Sequence, residues 1–346
     1  IGVDKSTEGI IGKFFYYSIA GILVPRQEFE NVGMSLGLPK FKPAKASKSG
    51  AYRTAKTAIK DKVTVKDISG KTTYQIYCRD NTKEDMNRIS RQLVKETLGA
   101  RTNDYTKLAN IIFDKETETV YSENEVFDVD IDVKAYCEQA QELYEKFCDC
   151  YTTEQVTAVI DDQLCRMQAN KISVKGNLFF IPNQYLPLLN ILEDYIESLA
   201  KYNLNDDCTI VCNSMHVVDS ERQREKMAEE FYNNYKRDIE MYQKSIQKFI
   251  DSGGTSPTVI ERWIKKINAL NQKKSTYEDI LRQRLDNLDK DYALLKMQAQ
   301  ELIVRNNKSQ LKNVDINDLE ILRDYPYITD NSPLQKYYIK WYSIVR

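Results

Sequence analysis

The sequence predicts an α+β protein: a mixed antiparallel-sheet and helix body (1–218), an inserted long antiparallel coiled-coil hairpin (219–306), and a C-terminal segment (307–346) docking back on the body. Three observations predict it. Short apolar segments alternate with period two, as half-buried strands do. Other segments repeat their apolar residues every three to four positions, the stripe of a packed helix. A late stretch free of Gly and Pro keeps heptad spacing. The 346 residues suit about two domains. With 29% charged and 42% hydrophobic residues and only 12 Gly and 8 Pro, the chain is neither disordered nor fibrous.

Lys13 to Val24 reads as strand, carrying Phe14, Phe15, Tyr16, Tyr17 and Ile19. Pro25 then suits the first turn of a short helix that stops before Gly37-Leu38-Pro39. After a lysine-rich linker, Ser47 or Ser49 opens a helix with Ala51, Tyr52, Ala55 and Ile59 on one face. Val63–Ile68 and Thr72–Cys78 form a hairpin turned at Ser69-Gly70. Residues 82–98 fit two patterns: Thr82-Lys-Glu-Asp85 is a capping box, while Arg88–Thr97 facing Tyr105–Phe113 reads as paired strands, the reading preferred here. Phe127–Val133 alternates strictly and is expected to be a strand. Tyr136 to Cys148 and Val156 to Met167 mark two helices, the second capped by Thr152-Thr153-Glu-Gln155. Ile172–Ile181 is a hairpin turned at Gly176-Asn177, followed by a helix from Gln184 to Ala200 and a strand from Cys208 to Val218.

Residues 219–251 contain neither Gly nor Pro, and Phe231, Tyr235, Ile239, Tyr242, Ile246 and Phe249 recur at steps of 4, 4, 3, 4 and 3. Asp251-Ser-Gly-Gly-Thr-Ser256 interrupts the run and Ser256-Pro257 restarts it. The second seam holds Ile267, Leu270, Tyr277, Leu281, Leu288 and Leu295, with Lys274 and Arg284 as polar interruptions. Read as two continuous helices, the arms are roughly 50 and 75 Å long. The seams are the expected interaction surface, within one chain or between chains. Asp315-Ile-Asn-Asp318 opens a further short helix, and Leu334–Val345 is rich in aromatics.

Several chemistries are excluded. The single histidine, His216, leaves no imidazole pair for a zinc site or relay. Seven cysteines show a CxC at 148–150 and a CxxxC at 208–212 but no paired CxxC knuckles, so they read as reduced core thiols of a cytoplasmic, reducing compartment. No apolar run is long enough to span a bilayer, so no membrane partner is expected. Gly9-Ile-Ile-Gly12-Lys13-Phe14 fails as a phosphate loop because Thr7 and Phe14 stand where glycine and a hydroxyl are required.

Two charge features remain. Residues 39–66 hold Lys40, Lys42, Lys45, Lys48, Arg53, Lys56, Lys60, Lys62 and Lys66 against Asp61 alone. As a helix face, Arg53, Lys56 and Lys60 beside Tyr52 suit phosphate contacts, and the predominance of lysine favours backbone contact over base reading. A solvated lysine-rich loop has the same composition. Residues 114–132 are acidic, and Asp128-x-Asp130-x-Asp132 starts like an EF-hand loop but has Val133 at the glycine position and Gln139 at the twelfth. The three aspartates are weak candidates for a divalent metal; as a strand face they also suit the guarding of a sheet edge. No cofactor is expected.

Phe15-Tyr-Tyr-Ser-Ile19, Val24-Pro-Arg-Gln-Glu-Phe29, Gly37-Leu-Pro39, Ala51-Tyr-Arg-Thr-Ala55 and Gly176-Asn-Leu-Phe-Phe-Ile-Pro182 together resemble an uncharacterised family of prokaryotic and mobile-element proteins, a domain of unknown function. Thr54 replaces the second arginine of that family's helix motif, and Leu178-Phe179 replace the Val-Tyr of its hairpin motif. The resemblance covers roughly residues 13–215 and implies a phage or plasmid setting, with no activity and no site residues to carry over.

The expected function is therefore non-catalytic: a nucleic-acid-associated interaction protein that touches phosphates through 40–66 and assembles, or reaches a protein partner, through the hairpin. The competing classes are a protein–protein scaffold or inhibitor and a metal-dependent enzyme on Asp128, Asp130 and Asp132.

Overall fold

The structure, a computed structural model, describes residues 9–67, 70–80, 87–99, 105–172, 176–254 and 256–307. It is α+β with antiparallel sheets, as the sequence predicts. The strands are β1 (Ile10–Ser18), β2 (Leu23–Pro25), β3 (Lys60–Asp67), β4 (Gly70–Asp80), β5 (Arg88–Thr97), β6 (Tyr105–Asp114), β7 (Val120–Glu123), β8 (Cys150–Thr152), β9 (Asn170–Lys171), β10 (Leu178–Pro182) and β11 (Val211–Val218). The α-helices are α1 (Arg26–Ser35), α2 (Lys48–Ala58), α3 (Val133–Asp149), α4 (Thr153–Arg166), α5 (Leu186–Ala200), α6 (Glu221–Asp251), α7 (Pro257–Leu281) and α8 (Asp289–Asn307). Among the described residues, no helix is long and apolar enough to cross a membrane. The seven cysteines are free thiols, with Cys137, Cys148 and Cys150 buried.

The chain divides into two compact units: one from the segments through Tyr16, Met167–Pro187 and Ser214 onward, the other from Tyr17–Arg166 and Leu188–Asn213. In this division β9, β10 and most of β1 group with the late helices. The expected docking of 307–346 and the capping-box reading of 82–86 lie outside the described residues.

In the first unit a four-stranded sheet of order β11-β1-β10-β9 accompanies the three helices. The expected two-armed hairpin is not what forms. The first arm is one helix, α6, but the second breaks at Arg282, which sits in the left-handed region (φ 53, ψ 35) and closes α7. A 3-10 turn at Asp286–Leu288 leads into α8. The Tyr292 hydroxyl donates to the Ile267 carbonyl at 3.3 Å, and Gln243 of α6 donates to the Asp291 carbonyl at 3.2 Å. Helix α8 therefore folds back along α7, giving a three-helix bundle. The heptad spacing survives the reversal, since Leu281, Leu288 and Leu295 are seven apart on its two sides, and periodicity alone could not reveal it.

The seam residues close this bundle from within. Phe231, Tyr235, Ile239, Ile246, Ile267, Leu270, Tyr277, Leu281, Leu288 and Leu295 are buried in one core, with Tyr242 and Phe249 packed against it. Tyr277 stacks on Phe231 (centroids 4.2 Å apart) and meets Phe180 of β10 edge-on at 6.0 Å, while its hydroxyl donates to the Gln168 carbonyl at 3.1 Å. Lys274, one polar interruption of the seam, holds Glu278 at 3.1 Å and Asp289 at 2.7 Å, tying the start of α8 to α7.

The second unit is built on a five-stranded antiparallel meander, β3-β4-β5-β6-β7. Its inner face carries Ile76, Ile89, Leu93, Ile111 and Phe113, covered by Ala51, Tyr52 and Ala55 of α2 and by Cys137, Ala140 and Tyr144 of α3. Between Leu93 and Val94 the β5–β6 register shifts, so that Leu108 and Ala109 both turn inward. Beside this layer, β2 pairs with β8, and Phe29 of α1 packs edge-on against Tyr151 (4.8 Å) and Tyr195 (5.5 Å).

Candidate nucleic-acid interface

The basic segment is distributed over three kinds of backbone, and its lysines differ accordingly. The stretch before α2 is pinned rather than loose. Gly33 leaves room for the Phe41 ring, which an added Cβ would meet at 2.4 Å, and Gln163 donates to the Pro39 carbonyl at 2.6 Å. Lys42 is committed to Glu30 at 2.8 Å, a contact that holds the Glu30 carboxyl below its usual pKa. Lys40 and Lys45 are exposed along this stretch, as is Lys48 at the first position of α2.

Helix α2 starts at Ser47, whose hydroxyl accepts from the Gly50 amide at 3.1 Å. It ends at Ala58, so Lys60 is not on the helix face expected for it but opens β3. Tyr52 is not beside the cations either: it is buried, stacked on Phe113, and donates to the Ile111 carbonyl at 2.7 Å. Lys56 is ion-paired with Asp80, which also holds Arg91 at 2.7 Å. The Lys56 hydrogen bond pulls the Asp80 carboxyl below its usual range. Of the expected face Arg53, Lys56 and Lys60, only Arg53 remains as an exposed cation on the helix.

What the fold assembles instead is a cationic sheet face. Along β3, Val63 packs on the inner core, so the alternating Lys60, Lys62 and Lys66 point outward, and all three are exposed. The register with β4 sets Lys60 opposite Tyr77, Lys62 opposite Gln75 and Lys66 opposite Lys71. Beyond β4, Gln75 faces Glu96, Tyr77 faces Val94 and Arg79 faces Gln92. On β6, Tyr105 lies opposite Glu96 and Lys107 opposite Val94. Arg79 places its guanidinium 4.4 Å from the Tyr105 ring centroid. Burial, then a hydrogen bond to Glu96, raises the Tyr77 phenol pKa. Lys71, Tyr77, Arg79, Tyr105 and Lys107 were not singled out from sequence. The alternation Lys71, Thr73, Gln75, Tyr77, Arg79 is nonetheless visible once 70–80 is taken as a strand with its even positions inward.

The acidic segment does not form the expected strand. Residues 124–132 are irregular, and α3 begins at Val133 with Asp132 accepting from the Ala135 amide at 3.1 Å. The cause is local: Asp128 turns its carboxylate back onto the amides of Asp130 (2.9 Å) and Ile131 (3.1 Å), an alternative to ladder bonds. The same Asp128 and Asp130 grip the Lys95 ammonium at 2.9 and 3.0 Å. Burial opposes the charge on Lys95, but the two carboxylates outweigh it and raise its pKa above the ordinary value. An internal cation thus stands where a metal was considered, and among the described residues no group of three or more His, Cys, Asp and Glu is arranged to hold one. The loop also turns Phe127 and Val129 to solvent, 88% and 84% exposed. A pocket of ≈ 330 Å³ next to it is lined by Val63, Ile131 and Ala135 together with Asp130, Asp132, Tyr136 and Gln139, and its two carboxylates do not suit it to phosphate. His216 lies exposed on β11.

No curated protein and no solved structure matches the chain. The family model of DUF6744, a family of unknown function, matches residues 10–309, in keeping with the resemblance read from the motifs. The match spans most of the sequence, and the chain belongs to that family.

Proposed function

We propose that the protein is a non-catalytic nucleic-acid-binding protein of a phage or other mobile element, and that it holds phosphates on the outer face of the β3–β7 sheet and along the stretch leading into α2. The observation that carries this reading is the collection of Lys60, Lys62, Lys66, Lys71 and Lys107 on one sheet face, to which Arg79 adds a sixth cation. The whole chain has a net charge of −1, so this face concentrates positive potential on a molecule that is otherwise slightly acidic. The mobile-element setting rests on the sequence motifs alone.

The test is fluorescence anisotropy with labelled DNA and RNA at low and moderate salt, on wild type and on Lys60→Glu/Lys62→Glu/Lys66→Glu. These positions are exposed, so the variant keeps the inner core intact. Wild-type affinity is expected to fall steeply with salt, and the variant's salt slope to drop by about 2 for single strands, given roughly 0.7 per phosphate contact. Absence of binding at low salt, or a variant that binds as wild type does, rejects the reading and leaves the lysines as guards of an edge strand.

A second reading, a protein-interaction scaffold, is favoured by the outward Phe127 and Val129. It gains ground if no nucleic acid binds.

A further inference from the structure

Between the lysines of β3 and Lys107 of β6, the middle of the sheet's outer face carries side chains of another kind. Tyr77 on β4 lies opposite Val94 of β5, which faces Lys107 of β6, and in the neighbouring row Gln75, Glu96 and Tyr105 stand side by side across the same three strands. Tyr105 is 45% exposed, whereas Val94 beneath is fully buried. The two aromatic positions are two strand spacings apart, about 10 Å across the sheet. The middle of the face therefore carries two tyrosines and the Glu96 carboxylate that Tyr77 hydrogen-bonds, with cations around them.

Resting on the nucleic-acid reading above, we infer that this face is a stacking platform for unpaired bases, so that the ligand is single-stranded nucleic acid, with Tyr77 and Tyr105 under bases and the lysines on phosphates. A duplex offers phosphates but keeps its base faces stacked on one another, where a flat sheet cannot reach them. A single strand offers both, since its bases splay outward while its backbone runs along the charged groove. Tyr105 is already under a planar cation, the Arg79 guanidinium at 4.4 Å, which shows that the ring accepts a flat partner. The Tyr77 hydroxyl is hydrogen-bonded to the Glu96 carboxylate, which leaves the ring itself on the outer face. A protein partner fits this face less well: the apolar side chain in the middle, Val94, is out of reach, and what is accessible is tyrosine, amide, lysine and the Glu96 carboxylate. The lysine-for-arginine bias matches contact with backbone rather than with base edges, as stacking without sequence reading requires.

The experiment compares an oligothymidine, an abasic strand of equal length and a duplex, each labelled, against the full chain and two variants, Tyr77→Thr/Tyr105→Thr and Tyr77→Phe/Tyr105→Phe. Threonine keeps the strand's β-propensity while removing the ring, and circular dichroism monitors folding. The expected result is that wild type binds the oligothymidine about tenfold or more tighter than the abasic strand, the scale of base–aromatic stacking. The preference should vanish in the threonine pair and survive in the phenylalanine pair. Equal affinity of wild type for the base-bearing and abasic strands overturns the platform while leaving phosphate binding intact. A duplex bound as tightly as the single strand overturns it as well. Failure of all three ligands overturns both the platform and the function it rests on. Should the threonine pair fail to fold, the abasic comparison on wild type decides alone.

Discussion

Lys95 faces two carboxylates in a partly buried setting, 11% exposed itself against 14% and 23% for Asp128 and Asp130. Removing the ammonium leaves both acids close together without compensation. Lys95→Met is accordingly expected to cost about 2 kcal/mol, below the range for deeply buried pairs because this one lies near the surface, as measured by urea unfolding. Asp128→Asn keeps an oxygen for the Asp130 and Ile131 amides and should cost about 1 kcal/mol. The pH dependence follows from the Asp128 carboxyl, which burial tends to raise but which Lys95 and the two amides hold below its usual value. A depressed carboxyl contributes stability that is full above the unfolded value, about 3.9, and is lost as pH falls through the folded one. Between about pH 5 and about pH 3, wild type should therefore lose more stability than Asp128→Asn does. None of this was legible in the sequence. Asp128, Asp130 and Asp132 were recognised as a row, but their cation comes from Lys95, 33 residues from Asp128, and only the strand register brings it there.

At the scale of the element, strand and helix types were mostly legible, because the short apolar run in Tyr105–Asp114 and the stripe of α3 report which side chains must leave water. Two failures share one cause. Phe127–Val133 has strand periodicity and Leu281–Leu295 has heptad periodicity, yet both are overridden by local backbone chemistry that periodicity does not record. In the second case the reversal uses Arg282 in the left-handed region with no Gly or Pro to announce it. That conformation is costly for a residue with a Cβ. Arg282→Gly should thus stabilise the protein by about 0.5 kcal/mol, even after loss of the exposed pairing with Asp219, and Arg282→Val should destabilise it by about 1 kcal/mol. Thermal unfolding of the two variants checks the opposite signs. The outer face of the meander was half legible: the lysines of β3 stood out by composition, whereas Tyr105 became relevant only through its pairing with Glu96.

On the scale of the molecule, the helical region is part of a folding unit rather than an arm added to a finished body. Phe14 meets Phe180 at 6.1 Å, Phe180 meets Tyr277, and all three belong to, or pack on, the bundle core. Deleting residues 222–304 should therefore not yield a well-behaved truncated protein. The expected outcome is increased binding of a hydrophobic dye and a polydisperse species in light scattering, because Phe180 and Val217 lose their cover. A monodisperse, dye-silent product would show that the strands fold without the helices.

The division into units also sets an order of events during synthesis. The second unit ends at Asn213, while every helix of the bundle lies beyond that residue. As the chain leaves the ribosome, the meander and its covering helices can close while β1 and β10 still await α6 and α7. The two early strands thus emerge long before their partners, and for that interval Phe14 and Phe180 are what a chaperone would see. The outer face of the meander is thus complete before the helices of the bundle have been made.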